Sequence, residues 1–280
     1  VNLLLFTAAD CIPPDRVSPD RVSPDPGWPG EPAAGDEPPP QNRPAAPAAK
    51  ALTGNPAAQR FVTISDHRLQ HLRQVLNAQP GDCIRVGEVG GLMGEATLLT
   101  IDQHSATLVA ELHTTPPAKL PLTLVLALPR PKMLRRILRC VAELGVRELH
   151  LLNGYRVEKS FWQTPVLDSG AVRGYLLQGL EQARDTVLPE VHCHRRFKPF
   201  VEDRLPRMTA GREALLAHPG DYRPCPRGLR GETLLVVGPE GGFIPYEVTK
   251  LQQAGCATVS LGPRILRVEN AVTALLGRLA

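Results

Sequence analysis

The chain is poor in aromatic residues. They make up 4% of 280 positions, while hydrophobic residues reach 42%. Its core must therefore be filled with leucine, valine, isoleucine and alanine, and the length suits one large domain or two ordinary ones. Cysteines are few and scattered singly, at Cys11, Cys83, Cys140, Cys193, Cys225 and Cys256. With no C-x-x-C pair, zinc-ribbon and thioredoxin-type chemistry have no support, and lone cysteines fit a reducing compartment where they pack as small apolar groups. The eight histidines show no ligand spacing beyond His192 and His194, so no metal is expected. No apolar run approaches a membrane span. The start, "VNLLLFTAADC", lacks a basic n-region and is too short for a secretion signal. A cytoplasmic location is expected, and Val1 in place of methionine suggests an alternative start codon or a missing residue. Phosphate-binding motifs are absent as well: there is neither G-x-G-x-x-G nor a Gly-Lys-Ser/Thr ending.

The net charge is +4, which permits nucleic-acid binding without demanding it. Proline is abundant in one place. Residues 13–59 contain the near-repeat "PDRVSPDRVSPDP" and then "EPPPQNRPAAPAAKA". Proline lacks the amide hydrogen that helices and sheets use, so this insert is expected to be disordered. Residues 1–12 carry "VNLLLF", with the look of an edge strand, so the insert interrupts a domain rather than preceding one. Residues 60–115 hold "RFVTIS", "DCIRVGEV", "LMGEATLLTID" and "SATLVAELH", short strands that suggest a small barrel. One helix, "DHRLQHLRQVL", is expected to bury Leu69, Leu72, Val75 and Leu76 together.

From residue 120 to 280 the pattern changes. "LTLVLAL", "ELHLLN", "EVHCH", "EALLAHP", "TLLVVG" and "ATVSLG" read as strands. "PKMLRRILRCVAELG", "GAVRGYLLQGLEQARDT", "FVEDRL", "PYEVTKLQQAG" and "RILRVENAVTALLGRL" read as helices. Alternation of this kind predicts an α/β domain with a mostly parallel sheet covered on both faces. Ligands of such sheets sit beyond the carboxyl ends of the strands. Three Gly/Pro loops fall there: "AHPG", "GPEGGF" and "LGPRILR". Each alone reads as an ordinary turn, but three in succession suggest one pocket. Glu240 in the middle loop would repel phosphate and suits a neutral or cationic ligand bearing hydroxyls or amines.

"LLVVGPEGGFIPYEV" with "VSLGPRILRVENA" resembles the paired motifs of the SPOUT methyltransferases, most of all the bacterial 16S ribosomal RNA uracil-N3 methyltransferases. "HLRQVLNAQPGD", "LALPRPKM", "AELGVREL" and "EQARDT" fit the same pattern in order, from about Arg60 to Ala280. The resemblance implies a PUA-like RNA-binding barrel, a C-terminal domain tied in a trefoil knot, bound S-adenosylmethionine and a homodimer acting on 16S rRNA or the small ribosomal subunit. By matching motifs it implies a cofactor pocket of Leu216, His218, Gly238, Glu240, Gly241, Leu261, Gly262, Ile265, Leu266 and Arg267, with Leu216, Leu261 and Leu266 packing on adenine. Two departures stand out. Ile244 replaces the family's serine before the proline, which removes a helix N-cap at a cost of roughly 1 kcal/mol. "RVENA" replaces "RTETA", so Val268 and Asn270 stand where hydroxyls are usual.

Methylation of a uracil N3 needs its proton removed and charge on the flanking carbonyls stabilised. Glu269 and Arg267 are the candidates, with Glu240 in reserve. Glu269 also reads simply as a first-turn carboxylate balancing a helix dipole. The base must be unpaired or extruded, and the RNA held through its phosphates. Arg130, Lys132, Arg135 and Arg139 form a basic track at and beyond a strand end. Arg184, and Arg60, Arg68 and Arg73 in the barrel, could extend it. Alternatives are a SPOUT enzyme methylating another RNA position or a ribose 2′-OH, and an RNA-binding protein with degenerate catalysis.

Overall fold

A computed structural model describes residues 3–13 and 59–280. The proline-rich insert expected at 13–59 lies almost wholly outside the described residues. Two compact units emerge. Among the described residues, one takes in those from Phe6 to Glu88 and from Leu92 to Thr114; the other takes in Thr115 to Ala280 with Val89–Gly91 and Leu3 to Leu5.

The first unit is built on antiparallel strands. Its elements are β2 (Cys11–Ile12), β3 (Gln59–Ile64), α1 (His67–Gln74), β4 (Cys83–Glu88), β5 (Met93–Ile101) and β6 (Ala106–Thr114), with β1 (Leu4–Phe6) belonging to it only at Phe6. The order across the sheet is β1-β4-β5-β6-β3-β2. Strand alternation sends Val62, Ile64, Ala96, Leu98, Ala106 and Leu108 inward. Helix α1 starts at Asp66, whose carboxylate accepts the Arg68 amide at 2.9 Å. It ends sooner than its apolar pattern predicts. Leu69 and Leu72 are buried, but Val75 is 64% and Leu76 46% exposed. The helix stops at Gln74, and Asn77 turns the chain with φ +48, so the last two apolar residues leave the buried face.

The second unit alternates strands and helices. Its elements are β7 (Leu120–Ala127), α2 (Pro131–Glu143), β8 (Val146–Leu152), α3 (Ser169–Ala183), β9 (Glu190–His194), α4 (Phe197–Pro199), a π-helical turn (Phe200–Arg204) and α5 (Leu205–Thr209). Then come β10 (Glu213–Ala217), β11 (Thr233–Val237), α6 (Pro245–Gln253), β12 (Ala257–Val259) and α7 (Val268–Leu279). The six strands run in the order β12-β10-β11-β7-β8-β9, every neighbour parallel. Leu122, Leu124, Leu126, Leu215, Leu234 and Leu235 are fully buried. Central strands shielded on both faces need continuous apolar runs, and these supply them.

On α2, Leu134, Ile137, Leu138, Val141 and Ala142 share the buried side, while Lys132, Arg135 and Arg136 are exposed. The terminal helix starts four residues later than the pattern predicts. Gly262 has φ +107 and Arg267 is extended, so residues 262–267 form a loop and α7 begins at Val268. Ile265 and Leu266 look periodic in sequence yet stand 83% and 40% exposed.

Candidate functional site

Because the sheet is parallel, the carboxyl ends of β10, β11 and β12 lie on one edge, with β10 between the other two. The loops that follow them converge on one cleft. Ala217, His218 and Pro219 come from the first loop, Val237 to Glu240 and Gly242 from the second, and Leu261, Gly262 and Arg264 to Leu266 from the third. Val268, Ala271 and Leu275 of α7 close the apolar side. The His218 amide donates to the Val259 carbonyl at 3.0 Å, which holds the first loop against the third strand.

The middle loop is a tight reversal. The Gly242 amide donates to the Pro239 carbonyl at 2.8 Å, and Gly242 has φ +70. At Gly238 a side chain would press on the Phe243 ring at 3.2 Å, so glycine lets the strand end pass close to its own turn. Glu240 Oε1 accepts the Arg130 backbone N–H at 2.9 Å. The carboxylate thereby ties the glycine turn to the start of α2.

The sequence reading missed a second brace. Glu247 of α6 is 3% exposed. Its Oε1 accepts the Tyr155 amide at 2.7 Å and its Oε2 the Ile244 amide at 3.0 Å. Arg156, next along that loop, donates to the Gly241 carbonyl, and its stem covers Gly241 so closely that a Cβ there would meet Arg156 Cδ at 2.9 Å. The loss of a serine at Ile244 is thus partly offset: the amide of the N-cap residue itself is held by Glu247. Glu247 sits three residues after Ile244, a spacing that marks half a capping box, and this was the available signal. Nothing in the sequence announced Arg156.

Seven of the ten expected cofactor residues line the cleft: His218, Gly238, Glu240, Leu261, Gly262, Ile265 and Leu266. Leu216 is fully buried within β10 and leaves the lining to Ala217, because successive strand side chains face opposite ways. Gly241 faces Arg156. Arg267 and Glu269 flank the lining residues Leu266 and Val268 without lining the cleft themselves. Burial, with the nearby charge of Arg156, lowers the pKa of His218, so its ring is neutral at pH 7.

The expected basic residues divide. Arg130, Lys132, Arg135 and Arg184 are exposed, and Arg139 is held by Gln178 Oε1 at 2.7 Å and over the Tyr175 ring. In the other unit Arg60 and Arg73 are exposed. Arg68 is committed to Asp10 at 2.7 Å and Asp66 at 2.8 Å. No group of His, Cys, Asp and Glu among the described residues is arranged to hold a metal ion. No described helix is long and apolar enough to cross a membrane.

A cleft with apolar walls, glycine turns exposing backbone groups and no cluster of fixed cations suits a planar, uncharged ring carrying hydroxyls. The comparisons with known proteins agree in kind. Residues 116–280 match the model of the RNA methyltransferase domain family. A Treponema pallidum protein named ribosomal RNA small subunit methyltransferase E is 29% identical, over 76% of this chain and 82% of its own. Its namesake from Synechocystis is 30% identical, over 78% of this chain and 72% of its own. The crystal structure of the Neisseria gonorrhoeae protein of that name, bound to S-adenosyl methionine, superposes with a TM-score of 0.65 at 22% identity, covering 80% of this chain and 93% of its own. That likeness shows a shared fold. By its domain match and its sequence relatives, the chain belongs to the SPOUT RNA methyltransferases of the ribosomal RNA small subunit methyltransferase E family.

Proposed function

We propose that this protein uses S-adenosylmethionine to methylate N3 of one uridine in 16S ribosomal RNA. The observation that carries the reading is the convergence of the three Gly/Pro loops on one apolar cleft. The residues present fit the donor. Leu261, Ile265 and Leu266 offer flat apolar walls for adenine, and the turns at Gly238 and Gly262 bring backbone groups within reach of ring nitrogens and ribose hydroxyls. The donor supplies an activated methyl group on a sulfonium. The chain must hold and orient it, keep water away and present the base in line. Neutral His218 and the carboxylate of Glu240 add no positive charge beside that cation. Glu269 and Arg267, which the sequence suggested for the N3 proton and the carbonyl charge, adjoin the wall without lining it.

The finer architecture belongs to the same proposal. A trefoil knot is supported by the β10–β11 connection, which lies against both later segments. The Cys225 amide donates to the Ser260 carbonyl at 2.9 Å, the Gly228 amide to the Arg278 carbonyl at 3.0 Å, and Arg278 Nε to the Cys225 carbonyl at 2.5 Å. A chain threaded through that connection would show these contacts. The antiparallel unit would be the PUA-like RNA-binding barrel, with Arg60 and Arg73 on its surface, and Arg130, Lys132, Arg135, Arg139 and Arg184 would hold RNA phosphates. A homodimer is part of the reading.

The test is deletion of the gene followed by nucleoside mapping of 16S rRNA. Loss of one 3-methyluridine, restored by the wild-type gene, is the expected result. A missing 2′-O-methyl nucleoside would replace the proposed reaction. Calorimetry with S-adenosylmethionine reads the donor separately, and absence of binding would leave an RNA-binding protein without catalysis.

A further inference from the structure

A second, larger cleft is also lined by the Leu261–Ile265 loop. It shares Pro219, Ser260, Leu261, Gly262, Arg264 and Ile265 with the first, so the two are continuous. Its own wall is different in chemistry. Asp221, Tyr222 and Arg278 enter it, and Arg264 spans both clefts. The Tyr222 backbone is anchored: its carbonyl accepts Ser260 Oγ at 3.2 Å and its amide donates to the Gly220 carbonyl at 3.0 Å. The ring meets His218 edge-on, with centroids 6.0 Å apart. His218 lines the donor cleft and Tyr222 the second one, so this ring pair marks where the clefts meet.

An aromatic ring, a carboxylate and a guanidinium around one opening match a particular ligand chemistry. A planar base stacks on the ring. An imide N–H donates to the carboxylate. The carbonyls beside that N–H accept from the guanidinium. Glu269 and Arg267, which the sequence suggested for these tasks, line neither cleft.

Resting on the methyltransferase reading, we propose that the second cleft seats the extruded uracil on Tyr222, with Asp221 as the acceptor of its N3 proton and Arg264 as the partner of a flanking carbonyl. The N3–H bond breaks and its proton passes to the Asp221 carboxylate. The N3 electron pair forms the bond to the donor's methyl carbon. The carbon–sulfur bond breaks and its electrons remain on sulfur, which becomes a neutral thioether. Cation and carboxylate disappear together, so the step leaves no net charge behind.

Asp221 is exposed and the tests do not disturb the core. In single-turnover methylation of 16S rRNA, Asp221→Asn is expected to slow transfer by about 100-fold, the lower bound for a positioned general base. Its calorimetric affinity for S-adenosylmethionine should stay within about twofold of wild type, an order-of-magnitude margin below 1 kcal/mol. Tyr222→Ala is expected to raise the RNA KM about tenfold, within the range for one lost base stack, and Tyr222→Phe to restore it. Uridine 5′-monophosphate should show saturation-transfer NMR signals with the wild-type protein that Tyr222→Ala removes. Normal turnover in Asp221→Asn, an unchanged KM in Tyr222→Ala, or no signal from the nucleotide would each overturn the assignment. A failure of the methyltransferase reading looks different: the wild-type protein itself would not bind the donor.

Discussion

The amide of Tyr155 and a carboxylate oxygen of Glu247 meet at 2.7 Å, 92 residues apart in the chain. The other oxygen of the same carboxylate holds the Ile244 amide at the start of α6. One buried acid thus joins the loop after β8 to the helix after the glycine turn. Two donors satisfy it, and it sits where a helix dipole favours negative charge. Glu247→Gln keeps one acceptor and turns an NH2 toward the other donor. The expected cost is about 1–3 kcal/mol, read from the urea midpoint of unfolding. An unchanged midpoint would mean that solvent reaches this carboxylate after all.

Arg156 extends the same brace to the pocket, because its guanidinium donates to the Gly241 carbonyl. It is exposed, so its removal should leave global stability within about 0.5 kcal/mol of wild type. The glycine turn, by contrast, loses its outer support. Arg156→Ala is expected to weaken S-adenosylmethionine binding about tenfold by calorimetry, near the low end for a charge-assisted hydrogen bond. Arg156→Lys, which keeps a charged donor on a long stem, should recover part of that loss.

Two packed histidines, His150 and His194, make the fold sensitive to acid. The His150 ring lies against those of His192 and His194, with centroids 4.7 Å and 5.2 Å away, and its Nδ1 lies 3.0 Å from His194 Nε2. Phe200 covers His194 at 4.4 Å. Burial, followed by the charges of His150, Arg204 and His192, brings the His194 pKa down from 6.5 to about 4. Burial also lowers His150, against the opposing pull of Glu148. Between these limits the unfolded chain binds protons that the folded chain refuses, so stability falls as pH drops from 6.5 toward 4. Thermal melting across that window should show a declining Tm, and His194→Phe should flatten the slope. A Tm independent of pH in wild type would contradict the packing of these rings.

Much of the second unit was legible because its strands are buried on both faces. Leu124 to Leu128 and Leu234 to Val237 read as unbroken apolar runs, the pattern of strands covered on both faces. The cleft loops were legible through glycine and proline at strand ends. What escaped was long-range. No local pattern tells that Arg156 reaches Gly241, or that β10 lies between β11 and β12. Periodicity also misled where function competes with packing. Ile265 and Leu266 have the spacing of a helix, but Gly262 with φ +107 carries them into the cleft wall instead. The short 3-10 turns Lys159–Gln163 and Pro165–Leu167 carry no strong pattern, being held by Trp162 Nε1 on Asn153 Oδ1 at 2.9 Å and by the buried Val166.

Two glycines of α3 make opposite predictions. A glycine inside a helix costs up to about 1 kcal/mol relative to alanine, so replacing it normally stabilises. At Gly174 a Cβ would meet nothing within 4 Å, and Gly174→Ala should raise the unfolding midpoint or leave it unchanged. At Gly179 the same Cβ would lie 2.4 Å from the Arg139 carbonyl oxygen and 2.8 Å from the Ala142 Cβ, both on α2. A backbone carbonyl cannot swing aside as a side chain does, so the two helices must separate. Overpacking of this kind costs about 1–3 kcal/mol, which exceeds the gain in helix propensity. Gly179→Ala is therefore expected to destabilise by about 1–2 kcal/mol in urea unfolding. Because α2 begins at the amide chain held by Glu240, the shift should also reach the cleft and weaken donor binding. If both variants behaved alike, α2 and α3 would not be in contact at this point.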